Sequence, residues 1–297
     1  MPTKGQLKCN RCLECDGFGC PNMLPGLGGV FDGKNFQLNY EAWRNLKENA
    51  KNNGDFEKIK NINVTPEKIG CGPVTGSVEN IGYENEEDFY RPYVQNADNA
   101  GFNICIGDGC PDEKLKFGIE AVKSLPSKNK AAFFLKPYPD EKLHERIKWV
   151  KPYAKYIGID IDSYNIATMR NLVHLERKSA EKLKKIREFS EIPFVIKGVF
   201  TEEDIELVKE VKPDVVYISN HGGRVETRIG STGDFLATHA KQLKEYCNEI
   251  WVDGGIRTKE DIQTALFYGA DKVILARPLV IATFDENYEE QIKKLLN

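Results

Sequence analysis

The sequence predicts a parallel (β/α)8 barrel over residues 36–297, preceded by an irregular cysteine-rich arm over residues 1–35. Three observations predict it. Short apolar runs alternate with charged amphipathic segments, the pattern of buried strands joined by helices. Connections of that kind bring each strand back parallel to the last, with a right-handed crossover. The runs number eight, the count that closes a barrel, and polar, glycine-bearing segments recur at strand after strand's end, where a barrel carries its functional face. An open doubly wound sheet is the competing architecture.

The elements follow in order. Residues 1–35 are rich in Cys, Gly and Pro and have no period. Residues 40–52, YEAWRNLKENAKN, have helical composition. Strands are expected at 68–72, 102–106, 131–136, 156–162, 193–197, 214–219, 249–253 and 272–276. Helices are expected at 112–124, 140–150, 179–189, 201–211, 235–247 and 258–268, with 287–296 closing the set. Thr201 and Thr258 each precede acidic residues, so each reads as an N-cap followed by charges suited to the helix dipole.

Composition bounds the function. Lys plus Arg is 42 and Asp plus Glu is 45, a net charge of −3, with 40% hydrophobic and 29% charged residues. That excludes a disordered chain and argues against a basic nucleic-acid binder. Apolar stretches such as 131–135 are strand-sized, whereas a membrane span needs about 20 apolar residues. The first residues, MPTKGQLKCNRC, carry no apolar segment behind the lysine, so a secretory leader is not expected and the cytoplasm is. In that reducing compartment the eight cysteines would not form a disulfide framework.

Three late segments carry chemistry. In IPFVIKGVFTEEDI, an apolar strand ends in Lys197, which reads either as a snorkelling rim lysine or as a cation facing an anion or an electron-rich ring. In VVYISNHGGRVETRIG, a strand runs into Ser219, His221 and Arg224, with glycines that let the backbone turn at the barrel mouth. There His221 suits proton abstraction and Arg224 can hold a carboxylate bidentately, whereas His144, His174 and His239 read as structural. In IWVDGGIRTKEDIQTALFYGADKVILARPLV, Asp253-Gly254-Gly255 with Arg257 and then Ala276-Arg277 follow the last two strands. Barrels commonly bind phosphate at those loops.

The ordered set VIKGV, SNHGGR, VDGGIR and ARP resembles the FMN-dependent α-hydroxy-acid oxidase and dehydrogenase family, the glycolate and lactate oxidase group. The resemblance is clear over roughly residues 190–280 and weaker back to residue 68. It implies an FMN enzyme that oxidises a small L-2-hydroxy acid, of the lactate or glycolate kind, to the 2-oxo acid. His221 would be the base, Arg224 and Tyr138 substrate contacts, and Lys197 the cation at the flavin N1–C2=O edge. Ser219 would touch the flavin ring, as would Pro73, Val74 and Thr75 in GPVTG. Asp253, Gly254, Gly255, Arg257, Ala276 and Arg277 would line the ribityl-phosphate site.

There are departures. Lys136 stands where the family has a glutamine, and GIDIDS resembles the family's Thr-Val-Asp only at Asp162. The lid after the fourth strand is shortened, and Arg170 is the nearest candidate for the second substrate arginine. The resemblance also implies a homo-oligomer. The electron acceptor is open. Another FMN barrel enzyme, such as a type 2 isopentenyl diphosphate isomerase, and a flavin or thiol redox sensor without turnover are the alternatives.

The arm adds a separate expectation. Cys9, Cys12, Cys15 and Cys20 form C-x2-C-x2-C-x4-C-P, one residue longer than a bacterial ferredoxin run. Four thiolates could hold an Fe–S cluster or zinc, which the spacing does not separate. A cluster there could pass electrons to an external acceptor.

Overall fold

Each expected strand forms. They are β1 (Ile69–Cys71), β2 (Cys105–Gly107), β3 (Ala131–Leu135), β4 (Ala154–Asp160), β5 (Phe194–Val199), β6 (Val215–Ile218), β7 (Glu249–Val252) and β8 (Lys272–Leu275). The computed structural model describes residues 34–297 except 82, 166–172, 226–227 and 285. Cys9, Cys12, Cys15 and Cys20 therefore lie outside the described residues, as does Arg170.

All strand pairs are parallel, in the order β1-β8-β7-β6-β5-β4-β3-β2. The ring closes between β1 and β2. The Cys71 N–H donates to the Asn103 carbonyl and the Asn103 N–H to the Ile69 carbonyl, each at 2.9 Å. That closure excludes the open doubly wound sheet.

Strand alternation divides the core in two. Ala132 and Phe134 on β3 point inward with Val195, Val215, Tyr217, Trp251 and Ile274, so the barrel is filled rather than hollow. The Phe134 and Tyr217 rings meet edge-on with centroids 5.3 Å apart. Ala131, Phe133 and Leu135 point outward under the helices, in the larger core layer. Truncating one such buried aromatic typically costs about 3–5 kcal/mol, which is why the layers fix strand register.

Helix starts follow the capping chemistry. Thr201 and Thr258 each close a capping box, with Asp204 and Asp261. The helix expected at 235–247 runs instead over Thr232–Leu243, because the Ser231 side chain accepts the Asp234 N–H and starts it earlier. The first helix also starts early, at Lys34 rather than 40, and spans Lys34–Asn52. Its added turns bury Asn35, Phe36 and Asn39, so polar side chains face inward there and blur the expected amphipathic pattern. Among the described residues no helix is long and apolar enough to cross a membrane.

Candidate active site

The C-terminal strand ends carry an arc of buried and half-buried charge. Asp108 follows β2, Lys136 follows β3, Asp160 ends β4, Lys197 lies in β5, His221 follows β6 and Asp253 follows β7. The arc centres on His221. Its Nδ1 lies 2.8 Å from Asp162 Oδ2 and its Nε2 lies 2.9 Å from Asp160 Oδ2. The Lys197 ammonium donates to Asp160 Oδ1 at 2.7 Å and lies 3.3 Å from His221 Nε2.

The electrostatics follow from that packing. Burial opposes charge on His221, but Asp160 and Asp162 outweigh it and raise its pKa above the usual imidazole value. Burial likewise opposes charge on Lys197, and Asp160, Asp162 and Asp253 overcome it. Asp160, buried yet flanked by His221 and Lys197, is held well below the usual carboxylate range. His221 and Lys197 are thus clasped by Asp160 and Asp162, which favour the protonated form of each.

A backbone irregularity makes room for this. The β5–β6 register shifts between Lys197 and Val199, and Gly198 sits at φ +95°. A Cβ on Gly198 would collide with the Asp162 carboxylate. The glycine of VIKGV thereby lets Asp162 reach His221.

Arg224 and Arg257 have the opposite balance. Burial pulls each guanidinium down to about 10. Only Asp253 opposes this at Arg224; at Arg257 only Asp261 and, less, Tyr40 do. Asp261 is already engaged by Lys47 and by the Arg257 and Thr258 N–H groups. Arg257 Nε and Asp253 Oδ1 are buried without a hydrogen-bond partner among the described residues. Asp253 Oδ2 meanwhile accepts from Tyr217 at 2.8 Å and Ser219 at 3.0 Å. A phosphate-bearing polyol fits this set. Arg257 offers a cation to the phosphate and Asp253 an acceptor to a ribityl hydroxyl, as FMN requires.

The remaining sequence candidates lie round the same rim. Pro73, Val74 and Thr75 follow β1, and Val74 N–H folds back onto the Gly72 carbonyl at 2.8 Å. Ala276 is exposed after β8, and Arg277 lies 5.0 Å from the Phe36 ring centroid. Tyr138 does not join the His221 cluster. It is 1% exposed, its ring packs against Arg146 and Lys142, and its hydroxyl donates to the Gly109 carbonyl at 3.4 Å. Beneath it, fully buried Arg146 pairs with Asp108 at 3.1 Å and Asp112 at 2.6 Å. Burial pushes the Asp108 carboxyl up to about 6 despite Arg146.

Sequence reasoning missed the role of the first helix. Asn39 Nδ2 donates to Asn220 Oδ1 at 2.7 Å, and Asn39 Oδ1 accepts the Thr232 N–H at 2.9 Å. Asn35 Nδ2 donates to the Val225 and Arg228 carbonyls at 2.9 and 2.8 Å. Trp43 Nε1 donates to the Gly254 carbonyl at 2.8 Å. The helix thus braces both the His221 loop and the phosphate-side glycines. Its signal was a stripe of Asn35, Asn39 and Trp43 at four-residue spacing.

Gly254 and Gly255, at φ +96° and +76°, accordingly serve packing as well as any ligand. A Cβ on Gly255 would collide with the Asn39 carbonyl. Gly255→Ala is expected to destabilise the chain by about 1–3 kcal/mol or more, the cost of a strained backbone before the collision is counted. A urea midpoint unchanged from the wild type would show that the helix yields instead.

The fold and site define a closed α/β barrel with a glycine turn beside Arg257 and a carboxylate-clasped histidine on one face. Residues 121–294 match the FMN-dependent dehydrogenase family, and the chain belongs to it. Rat 2-hydroxyacid oxidase 2 is 33% identical over 205 residues, 66% of this chain and 50% of that protein. An L-lactate dehydrogenase of Vibrio parahaemolyticus is 39% identical over 104 residues, covering 35% of this chain and 27% of the relative. The chain thus spans half or less of the length of these relatives. The flavin-binding domain of baker's yeast flavocytochrome b2 superposes with TM-score 0.67 at 19% identity, over 89% of this chain and 74% of that one. A mandelate oxidase structure gives TM-score 0.64 at 17% identity, over 89% and 84%. At those identities the structures speak for the fold.

Proposed function

We propose that the chain is an FMN-dependent enzyme oxidising a small L-2-hydroxy acid, lactate-like or glycolate-like, to the 2-oxo acid, with His221 as the base. The observation that carries this is the site's pattern of charge. Two arginines with too little counter-charge, Arg224 and Arg257, share one face with a histidine whose protonated form is stabilised by carboxylates. Arg257, with Gly254, Gly255 and Arg277, suits a phosphate, and Arg224 suits a substrate carboxylate.

The roles follow. Arg224 anchors the carboxylate and so brings the adjacent C–OH group to His221. His221 takes the hydroxyl proton at Nε2, and Asp162 on Nδ1 orients the ring and stabilises the imidazolium that results. FMN, when bound, would supply the acceptor for the substrate's α-hydrogen and its electron pair, together a hydride equivalent. Lys197 would supply positive charge to the flavin ring when FMN is bound. The isomerase reading leaves the His221–Arg224 pair without a task.

Anaerobic titration of the flavin-loaded protein with a panel of 2-hydroxy acids tests the proposal. One acid or a small group of them is expected to bleach the flavin absorbance. Bound flavin with no bleaching by any member would favour the redox-sensor reading. Bound flavin that turns over an allylic diphosphate would favour the isomerase.

A further inference from the structure

One buried group in the site has no role in the scheme above. Asp160 is 6% exposed and ends β4 inside the barrel mouth. Each of its oxygens has its own cationic neighbour, Lys197 Nζ at 2.7 Å and His221 Nε2 at 2.9 Å. Lys136, buried at the end of β3, also acts on it electrostatically. Lys136 stands where the family this chain resembles has a glutamine, and Asp160 where it has the threonine of Thr-Val-Asp, on the neighbouring strand. The two changes are opposite in sign, so together they leave the local net charge unaltered.

We propose that Asp160 is a positioning residue that sets the charge of the flavin-ring pocket. It clamps Lys197 and His221 and cancels part of the positive charge they would present to the ring. The inference rests on the FMN reading above. A carboxylate in contact with an ammonium turns a point charge into a dipole, whose field falls off faster with distance. A cation beside the ring favours the reduced, anionic flavin, so cancelling it makes the flavin a weaker oxidant. The other charged groups facing His221 are Asp162 beyond β4, Lys197 on β5, and Asp253 beyond β7. None of them contacts both cations as Asp160 does.

The test is the flavin midpoint potential, by dye equilibration, of the FMN-loaded wild type, Asp160→Asn, Asp160→Thr and Asp160→Glu. The two neutral variants are expected to move to more positive potential. The shift should correspond to about tenfold or more in the ratio of reduced to oxidised flavin at a fixed dye potential. Asp160→Glu should stay near the wild type. In the flavin-free proteins, the neutral variants should also lower the His221 titration midpoint read by NMR. FMN-loaded neutral variants at the wild-type potential would overturn the proposal alone. So would a glutamate variant shifted as far as the asparagine one, because shape rather than charge would then matter. If the neutral variants do not fold, Lys136→Met must move the potential the other way, and no movement overturns the proposal. A wild-type chain that takes up no FMN would overturn the proposed function and this inference together.

Discussion

His221→Gln is expected to keep FMN bound and to lose reduction by 2-hydroxy acid by about 10²–10⁴-fold, the usual contribution of a positioned general base. Glutamine can still donate a hydrogen bond to one of the flanking carboxylates, so the loop should hold its shape. It cannot accept a proton near neutral pH. Stopped-flow bleaching under anaerobic conditions reads the loss, and bleaching at the wild-type rate would sink the assigned base.

The pH profile carries the same argument with its sign worked out. His221 has a raised pKa in the folded chain. The stability it contributes is complete below its unfolded value, about 6.5, and is lost as pH rises through the folded value. A base must be neutral to act, so the rate of bleaching should rise over that same limb. Thermal midpoint of the flavin-free chain and bleaching rate are therefore expected to move in opposite directions above about pH 6.5. In His221→Gln both limbs should flatten.

The fold was legible because strand and helix periods differ and the strands are short and mostly apolar. The rim was legible because Ser219, His221 and Asp253 lie just beyond the ends of such strands and Lys197 lies in the last half of one. Asp160 was hidden for the same reason. It ends an apolar strand, and only its two-residue spacing from Asp162 signals that both carboxylates turn to one side. Asn35 and Asn39 were hidden because buried amides look like a solvated helix face until their partners, 181 or more residues away, are known. Tyr138 shows the converse. The family resemblance implied a substrate contact there, whereas in the structure Arg146, on the helix Asp140–Val150, takes the ring as a packing surface. That pairing depends on where the helix lies over the strand, which spacing along the chain does not encode.

Arg224→Met is expected to keep flavin, because the proposed phosphate site lies at Arg257, and to lose about 2–5 kcal/mol of substrate and transition-state binding. That is roughly thirtyfold to several thousandfold in kcat/KM. Arg224→Lys should fall between, since lysine keeps the charge and loses the fork that grips a carboxylate with two hydrogen bonds. The informative comparison is stability. Burial pulls the Arg224 guanidinium down to about 10, so in the folded chain its charge is disfavoured relative to the unfolded one. A group of that kind weakens the fold wherever it stays protonated. Replacing it with an apolar chain of similar length should leave the urea midpoint unchanged or higher while activity collapses. A structural arginine, paired as Arg146 is with Asp108 and Asp112, would do the reverse, because its loss strands two carboxylates. If Arg224→Met instead unfolds the chain, the arginine is holding the loop rather than waiting for an anion, and the substrate site must be sought elsewhere on the rim.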